Sequence, residues 1–233
     1  MVRPRSLTVG PGVRTDLPHH HVPPAPKARS NLTGDFTTWP RELWASLPAL
    51  PAFKLADGSG PALQQTVVRL CGDAAAVYVR FDCDDRDIWA TFTQRDDPIY
   101  NEEVVEVFIA PGADDPTRYY EFEVSPAGVL FDGRVFNPTS TRADLVVDEK
   151  WNCPGLRWSA GREDSAHRWW ATLAIPWAAI APESHPPHLC RANFYRIERP
   201  RDGAPEFSGW SPTLTDPADF HQPARFGLLT LPF

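Results

Sequence analysis

The sequence predicts an all-β protein, an antiparallel β-sandwich or jelly roll with few short helical turns. Two observations favour this fold class: short segments of alternating apolar and polar residues, and turn clusters of Pro, Gly and Asp between them. A third is composition, since 233 residues include 26 Pro, nine Trp and thirteen Phe. Many Pro and many large aromatic residues suit short strands joined by rigid turns. No βαβ rhythm is visible, so a parallel sheet is not expected.

Period-two alternation marks the individual strands. Val77, Val79 and Phe81 alternate with more polar residues, which predicts one buried and one solvated face. Strands are also expected at LQQTVVRLC, IWATFT, EVVEVFIA, YYEFEVSP, GVLFDG, LRWSAG, RWWATLAI, ANFYRIER and RFGLLTL. A short helical turn is expected near PWAAIA. The segment around Trp39 and Trp44 fits either a short helical turn or an edge segment.

The chain divides into a tail and one domain. Residues 1–30 are rich in Pro, Arg and Gly without periodicity, which predicts a disordered or loosely packed tail. His19, His20 and His21 lie in it and are interpreted as solvated, although such a triplet can bind a metal adventitiously. Residues 31–233 are expected to form the sandwich.

Charge and composition exclude several classes of partner. A formal net charge of −7 argues against nucleic acid and against an anionic membrane surface. No apolar run is long enough to span a membrane or to act as a signal peptide. The four Cys residues form no CxxC pair, so we expect free thiols and a cytoplasmic protein. A secreted protein whose leader has been removed is the alternative.

Acidic residues form two groups that chemistry could use. Asp82, Asp84 and Asp85 lie close together at a strand end and offer oxygen ligands for calcium, or simply form a solvated turn. Glu121 and Glu123 are two residues apart and share a strand face. With the neighbouring Glu106 they suggest a glycoside hydrolase, although the tight Glu, Asp, Glu alternation of laminarinase-type enzymes is absent.

Other enzyme signatures are missing, whereas aromatic residues in loops point to a binding site. The sequence has no GxSxG elbow, no phosphate-binding Gly loop and no HExxH motif. Sugar rings stack their C–H faces on flat aromatic side chains, and Tyr100 and Phe220 lie near predicted strand ends. Trp158, Trp169 and Trp170 fall inside predicted strands and are assigned to packing.

An ordered set of segments resembles the family 9 carbohydrate-binding modules. VYVRFDCDD, DDPIYNEEVVEVFIAP, YYEFEVSPAGVLFD, ATLAIPWAAI, ANFYRIERP and GWSPTLTDPADFHQPARFGLLTL follow in the family's order, over roughly Leu32 to Leu231. These modules are DOMON-like β-sandwiches, found attached to xylanases or as stand-alone proteins. The resemblance implies binding of a mono- or oligosaccharide without catalysis. It also implies a link to carbohydrate catabolism of the xylan or cellulose type, with a glycoside hydrolase as a partner.

The resemblance also implies site residues. The family's sugar slot lies between two aromatic rings, which fall on Tyr100 and Phe220, with His221 adjacent. Both rings are Trp in the typical module. A slot glutamate falls on Glu106, and a polar amide position falls on Tyr195.

Two further positions concern charge and calcium. The module's arginine position falls on Glu123, which reverses a charge in the slot. The module's calcium-binding strand end resembles the run that holds Asp82, Asp84 and Asp85, with Asp85 the best match, so a structural Ca²⁺ is expected.

Three hypotheses follow from these observations. The first is a non-catalytic sugar binder, the second a glycoside hydrolase that uses paired Glu residues, and the third a degenerate sandwich that acts as an interaction module. The carboxyl separation and the space between Tyr100 and Phe220 distinguish them.

Overall fold

A computed structural model describes residues 16–26, 35–183 and 186–233 as two stacked β-sheets. The two helices of the described residues are short, α1 at Arg41–Ala45 and α2 at Trp177–Ile180, and single 3-10 turns occur between strands. The prediction of an all-β sandwich with few helical turns is therefore confirmed. No helix in the described ranges is long and apolar enough to cross a membrane.

The larger sheet contains nine of the described strands, and all but one of its strand pairs are antiparallel. In sheet order its main path is β1 (His19–His21), β13 (Gly227–Thr230), β11 (Leu189–Glu198), β5 (Val104–Pro111), β6 (Arg118–Val124), β7 (Leu130–Phe136) and β8 (Val146–Asp148). The short strand β12 (Glu206–Gly209) pairs with β11 and with β2 (Lys54–Leu55).

The smaller sheet packs against one face of the larger one. Its strands are β3 (Thr66–Gly72), β4 (Ala76–Asp84), β10 (Arg168–Pro176) and β9 (Arg157–Glu163), all antiparallel. Alternate residues of the two sheets fill the space between them, for example Val79 and Phe81 against Val107 and Phe194. This apolar layer supplies the main hydrophobic stabilisation of the domain.

The second face of each sheet is partly covered, and on β4 nearly every residue is buried, so the prediction that β4 has a solvated face is wrong. Tyr78 is buried beneath Phe36 and Trp39, at ring distances of 5.7 and 5.1 Å. Arg80 is buried because its guanidinium lies 4.7 Å from the centre of the Trp170 ring. Local alternation cannot reveal these covers, because they come from distant segments.

Residues 16–26 pack on the domain, which differs from the predicted loose tail. They include β1, which pairs in parallel with β13 and places His19 beside Thr230, with 2.8 Å between Nε2 and Oγ1. Val22 is buried in the core between the sheets. A three-residue strand made by tertiary pairing carries no readable periodicity, which explains the error. The remainder of the predicted tail, residues 1–15 and 27–30, lies outside the described residues.

The expected strand at IWATFT is also wrong, because residues 88–93 follow an irregular path. The Thr91 amide donates to the Glu102 carboxylate at 2.7 Å, and the Trp89 indole donates to the Arg199 carbonyl. The segment therefore joins the loops at one end of the larger sheet. All four cysteines are free thiols, as expected from the sequence, and the structure shows that each is buried.

We expect Val22→Ala to lower the free energy of unfolding by about 2 kcal/mol, because it removes two buried methyl groups and leaves a cavity. Val67→Ala is the matched control, because Val67 is 37% exposed on β3. Urea unfolding followed by tryptophan fluorescence measures both. Equal stability of Val22→Ala and the unaltered protein would show that residues 16–26 do not contribute to the folded domain.

Candidate functional site

The outer face of the larger sheet, opposite the smaller sheet, carries an open cleft of about 530 Å³. Its floor is formed by side chains of β5, β6 and β7, and loops contribute its walls. Strand alternation places these side chains on the face opposite the main core. The size lies within the range of small-molecule sites.

Three glutamates meet on this floor, and we call Glu106, Glu121 and Glu123 the carboxyl cluster. Glu106 lies directly opposite Glu123 in the β5–β6 register, and Glu121 follows on the same face of β6. One carboxyl oxygen from each lies within 4.8 Å of the other two. All three residues are at least 95% buried, with exposures of 2%, 5% and 1%.

A hydrogen bond joins the side chains of Glu121 and Glu123, but among the described residues no positive charge is paired with the cluster. In the part of the chain that the structure describes, no ion pair reaches the three carboxyl groups. Oε2 of Glu123 is buried and has no hydrogen-bond partner among the described residues. A buried polar atom without a hydrogen-bond partner destabilises the fold, so these carboxyl groups are expected either to bind a ligand or to be protonated.

Burial shifts the acidity of all three groups. It raises the pKa of Glu121 to about 7, and it raises the pKa of Glu106 and Glu123 well above the usual range. The neighbouring glutamate charges add to the rise in the pKa of Glu106 and Glu123. The cluster therefore retains protons near neutral pH and contains both O–H donors and carboxylate acceptors.

Aromatic rings form the sides of the cleft. Tyr100 lies on a 3-10 turn, Ile99–Asn101, is 37% exposed and meets Phe131 edge to face at 5.9 Å. Phe220 lies in the loop before β13 and stacks face to face on Tyr195, with ring centres 4.1 Å apart. The Tyr195 hydroxyl donates to the Phe220 carbonyl at 3.1 Å. Tyr100 and Phe220 are therefore held in place by different neighbouring residues.

His221 completes the wall beside Phe220. Its Nδ1 lies 2.8 Å from the Tyr119 hydroxyl, and Asn137 donates from Nδ2 to its backbone carbonyl at 3.1 Å. Burial lowers the pKa of His221 to about 4, so the ring is neutral near pH 7. It contributes a hydrogen-bonding edge and no positive charge.

The structure brings together five of the six predicted ligand-binding residues. Tyr100, Glu106, Glu123, Phe220 and His221 all line the cleft. Tyr195 is placed differently, because it is fully buried behind Phe220 and supports that ring from beneath.

The prediction missed part of the lining. Phe131 faces Glu123 across the β6–β7 register, so alternation along GVLFDG could have identified it. Arg199 follows β11 directly and also lines the cleft, but no sequence signal marked it. Glu121 also lines the cleft, whereas the sequence pointed to it only as a residue of the hydrolase hypothesis.

The three aspartates predicted to bind calcium do not come together. Asp82 pairs with Arg80 at 2.8 Å, and Asp84 pairs with Arg168 at 3.1 Å on the surface. Asp85 is instead buried, because the residue after the strand turns inward. These three carboxylates, as arranged, do not form one ligand set for a cation.

Asp85 belongs to a separate buried network around Arg196. The Arg196 guanidinium lies 2.9 Å from Asp85 and 3.5 Å from Glu103, and Trp169 donates its indole N–H to Asp85 at 3.0 Å. All three charged side chains are fully buried. The arginine therefore supplies the positive charge that a bound cation would bring.

We expect Glu123→Gln to stabilise the protein at pH 8 by at least about 1 kcal/mol, or roughly 2–4 °C in melting temperature. The folded-state pKa of Glu123 is raised, so the folded protein binds more protons than the unfolded chain above the usual glutamate pKa of 4.5. Stability therefore falls as pH rises through that value and beyond, and the substitution removes part of this loss.

Thermal unfolding at pH 5 and pH 8 measures this effect, which should be small at pH 5. Charges on the other elements around the cleft, Arg142, Glu149 and Arg199, are unchanged by the substitution. Glu163→Gln, at the end of β9, is the control and should give no pH-dependent difference. An equal loss of stability at both pH values would contradict the expectation.

We expect chelation of divalent cations by EDTA to change the melting temperature by no more than about 1 °C, because Arg196 already balances Asp85 and Glu103. Differential scanning fluorimetry with and without EDTA measures this. A fall of several degrees that CaCl₂ reverses would instead support calcium binding near Asp85.

Known proteins similar to this chain share its fold. A candidate carbohydrate-binding protein from Bacteroides uniformis gives a TM-score of 0.69 at 18% identity, covering 92% of this chain and 99% of that one. A family 9 carbohydrate-binding module from Caldicellulosiruptor kristjanssonii, in complex with glucose, gives a TM-score of 0.58 at 11% identity, covering 92% and 96%. A structure from the same organism in complex with cellotriose gives 0.55 at 12% identity, covering 92% and 93%.

Sequence comparison gives the family. A relative from Arthroderma benhamiae named "Extracellular protein" is 28% identical over 166 residues, covering 67% of this chain and 74% of the relative. The family model of carbohydrate-binding family 9 matches residues 60–231, more than half of the chain and nearly all of both sheets. The chain therefore belongs to carbohydrate-binding family 9.

Proposed function

We propose that the protein binds a sugar ring in the cleft of the larger sheet and carries out no chemistry on it. The observation that carries the proposal is the shared lining: Tyr100 and Phe220 border the same open space as the carboxyl cluster. Aromatic faces contact the C–H patches of a pyranose, and carboxyl groups exchange hydrogen bonds with its hydroxyls. Family membership supports the same conclusion.

The protonation of the cluster suits this role. A sugar hydroxyl both donates and accepts, so it pairs best with a site that offers both kinds of partner. Protonated carboxyls of Glu106 and Glu123 donate, and an ionised Glu121 accepts. Neutral His221 adds a further polar edge at the wall.

Two structural neighbours support a pyranose as the ligand. The modules from Caldicellulosiruptor kristjanssonii were solved with glucose and with cellotriose. A role beside a glycoside hydrolase in xylan or cellulose breakdown rests on family membership alone and stays a prediction.

Hydrolysis is the second candidate, because one feature favours it. The carboxyl oxygens of the cluster lie within 4.8 Å of one another, close to the roughly 5–5.5 Å between the two carboxyl groups of retaining glycosidases. However, the three groups lie side by side on one floor, and no ion pair reaches any of them among the described residues. Binding therefore fits the geometry better than displacement.

An interaction module with a closed slot is less well supported. Tyr100 contacts Phe131, whereas Phe220 contacts Tyr195 and Phe207. The space between their supports is the open cleft. A degenerate site would be expected to collapse, because empty volume forfeits packing contacts.

We expect Tyr100→Ala to weaken sugar binding about tenfold, because it removes one stacking ring, whereas Tyr100→Phe should bind nearly as well. Isothermal titration calorimetry with glucose, xylose, cellobiose and cellotriose measures the affinities. Tyr120→Ala is the control, because Tyr120 points to the opposite face of β6.

The same incubations also test hydrolysis. Release of monosaccharide from cellotriose that disappears in Glu121→Gln would establish the hydrolase candidate in place of a silent binder. Absence of heat with every sugar, from a protein with an intact melting transition, would contradict the proposed function.

A further inference from the structure

The cleft contains more acidic groups than a neutral sugar needs. The cleft contains four glutamates, the three of the cluster and Glu149, against two arginines. Arg142 lies 3.7 Å from Asp219, and the guanidinium of Arg199 lies 5.3 Å from the centre of the Phe207 ring. Neither arginine forms an ion pair with the cluster in the described part of the chain. The floor of the cleft is therefore suited to a positive charge brought by the ligand.

The cluster is compact enough for one ammonium group to reach all three carboxyl groups. A tetrahedral ammonium that donates three hydrogen bonds of about 2.8 Å places its acceptors about 4.6 Å apart. The three carboxyl oxygens lie within 4.8 Å of one another. Oε2 of Glu123, buried and without a hydrogen-bond partner among the described residues, is a free acceptor that borders the cleft.

The surroundings favour an organic cation over a metal ion. Calcium takes six to eight oxygen ligands. The side chains that flank the cluster on the cleft floor are instead Phe108, Phe131 and Ile197. Aromatic faces attract cations and also pack against the carbon skeleton that carries an ammonium group.

We propose that the ligand of this cleft is an amino sugar, whose ring lies against Tyr100 and Phe220 and whose ammonium group binds the carboxyl cluster. The inference rests on the proposed function and adds the ligand class. It assigns Glu123 the role of selecting a charged ligand, because its unpaired oxygen accepts a stronger, charge-assisted hydrogen bond from an ammonium than from a sugar hydroxyl. Partial protonation of the cluster is consistent with this, since an incoming cation releases those protons.

Competition between matched sugars tests the ligand class. Glucosamine, N-acetylglucosamine and glucose share one ring, and only the first carries a charged amine. Calorimetry at pH 7 should give binding of glucosamine at least about tenfold tighter than of the other two, the effect of one charge-assisted hydrogen bond. Glucosamine binding should release protons, seen as a dependence of the measured heat on the ionisation enthalpy of the buffer.

Variants separate selectivity from sugar binding. Glu123→Gln should weaken the binding of glucosamine at least about tenfold more than that of glucose and so abolish most of the preference, whereas Glu163→Gln should retain the preference. Equal or tighter binding of glucose in the unaltered protein would overturn the inference and leave the proposed function intact. Binding of no sugar would overturn both. Titration with CaCl₂ or MgCl₂ alone is the last arm, and tight metal binding that Glu123→Gln removes would overturn the inference in favour of a cation site.

Discussion

Burial of the larger sheet on both faces is the constraint on which the site depends. One face packs on the smaller sheet through residues such as Val105 and Val107, while the alternate residues Glu106 and Phe108 point the other way. Loops cover that second face incompletely and leave the cleft. The glutamates on its floor are therefore almost wholly removed from bulk solvent, although their side chains border an open space. Their raised pKa follows from this placement more than from any single neighbour.

Two groups of buried acidic residues in this fold show opposite solutions to the same electrostatic problem. Asp85 is compensated within the protein, because Arg196 pairs with it and Trp169 donates to it, and Glu103 shares the same arginine although burial still raises its pKa to about 9. The carboxyl cluster has no such partner in the described residues, and it borders the cleft. A compensated network needs nothing from outside and is best explained as structural. An uncompensated one next to an open space is the better place to look for a ligand.

The sequence was sufficient for the sheets but only partly sufficient for the site. Alternation identified most strands, and the two rings expected from the resemblance, Tyr100 and Phe220, both line the cleft. β1 was not predicted, because a strand of three residues forms only through pairing with its partner β13 and has no recognisable sequence pattern. Tyr195 was expected in the cleft lining, but it lies behind Phe220. The sequence indicates which face of a strand a residue points to, but it does not indicate which loop residue covers that face. The three aspartates of the predicted calcium site lie apart for a similar reason, because neighbouring residues at a strand end point in different directions, and calcium binding near Asp85 stays a prediction.

In the proposed function, the aromatic rings and the carboxyl groups of the cleft have different roles in recognition. Stacking on Tyr100 or Phe220 requires only a flat apolar patch, so it accepts many pyranoses and discriminates weakly between them. Hydrogen bonds to buried carboxyl groups discriminate strongly, because a ligand that lacks the matching donor leaves a buried acceptor unpaired. Under the proposed function, the stacking rings would account for binding of a sugar ring, whereas the choice among sugars would be decided by three residues on two adjacent strands. Charge on that floor can differ between members of one family without any change in the sheets that present it, because these side chains lie outside the core between the sheets.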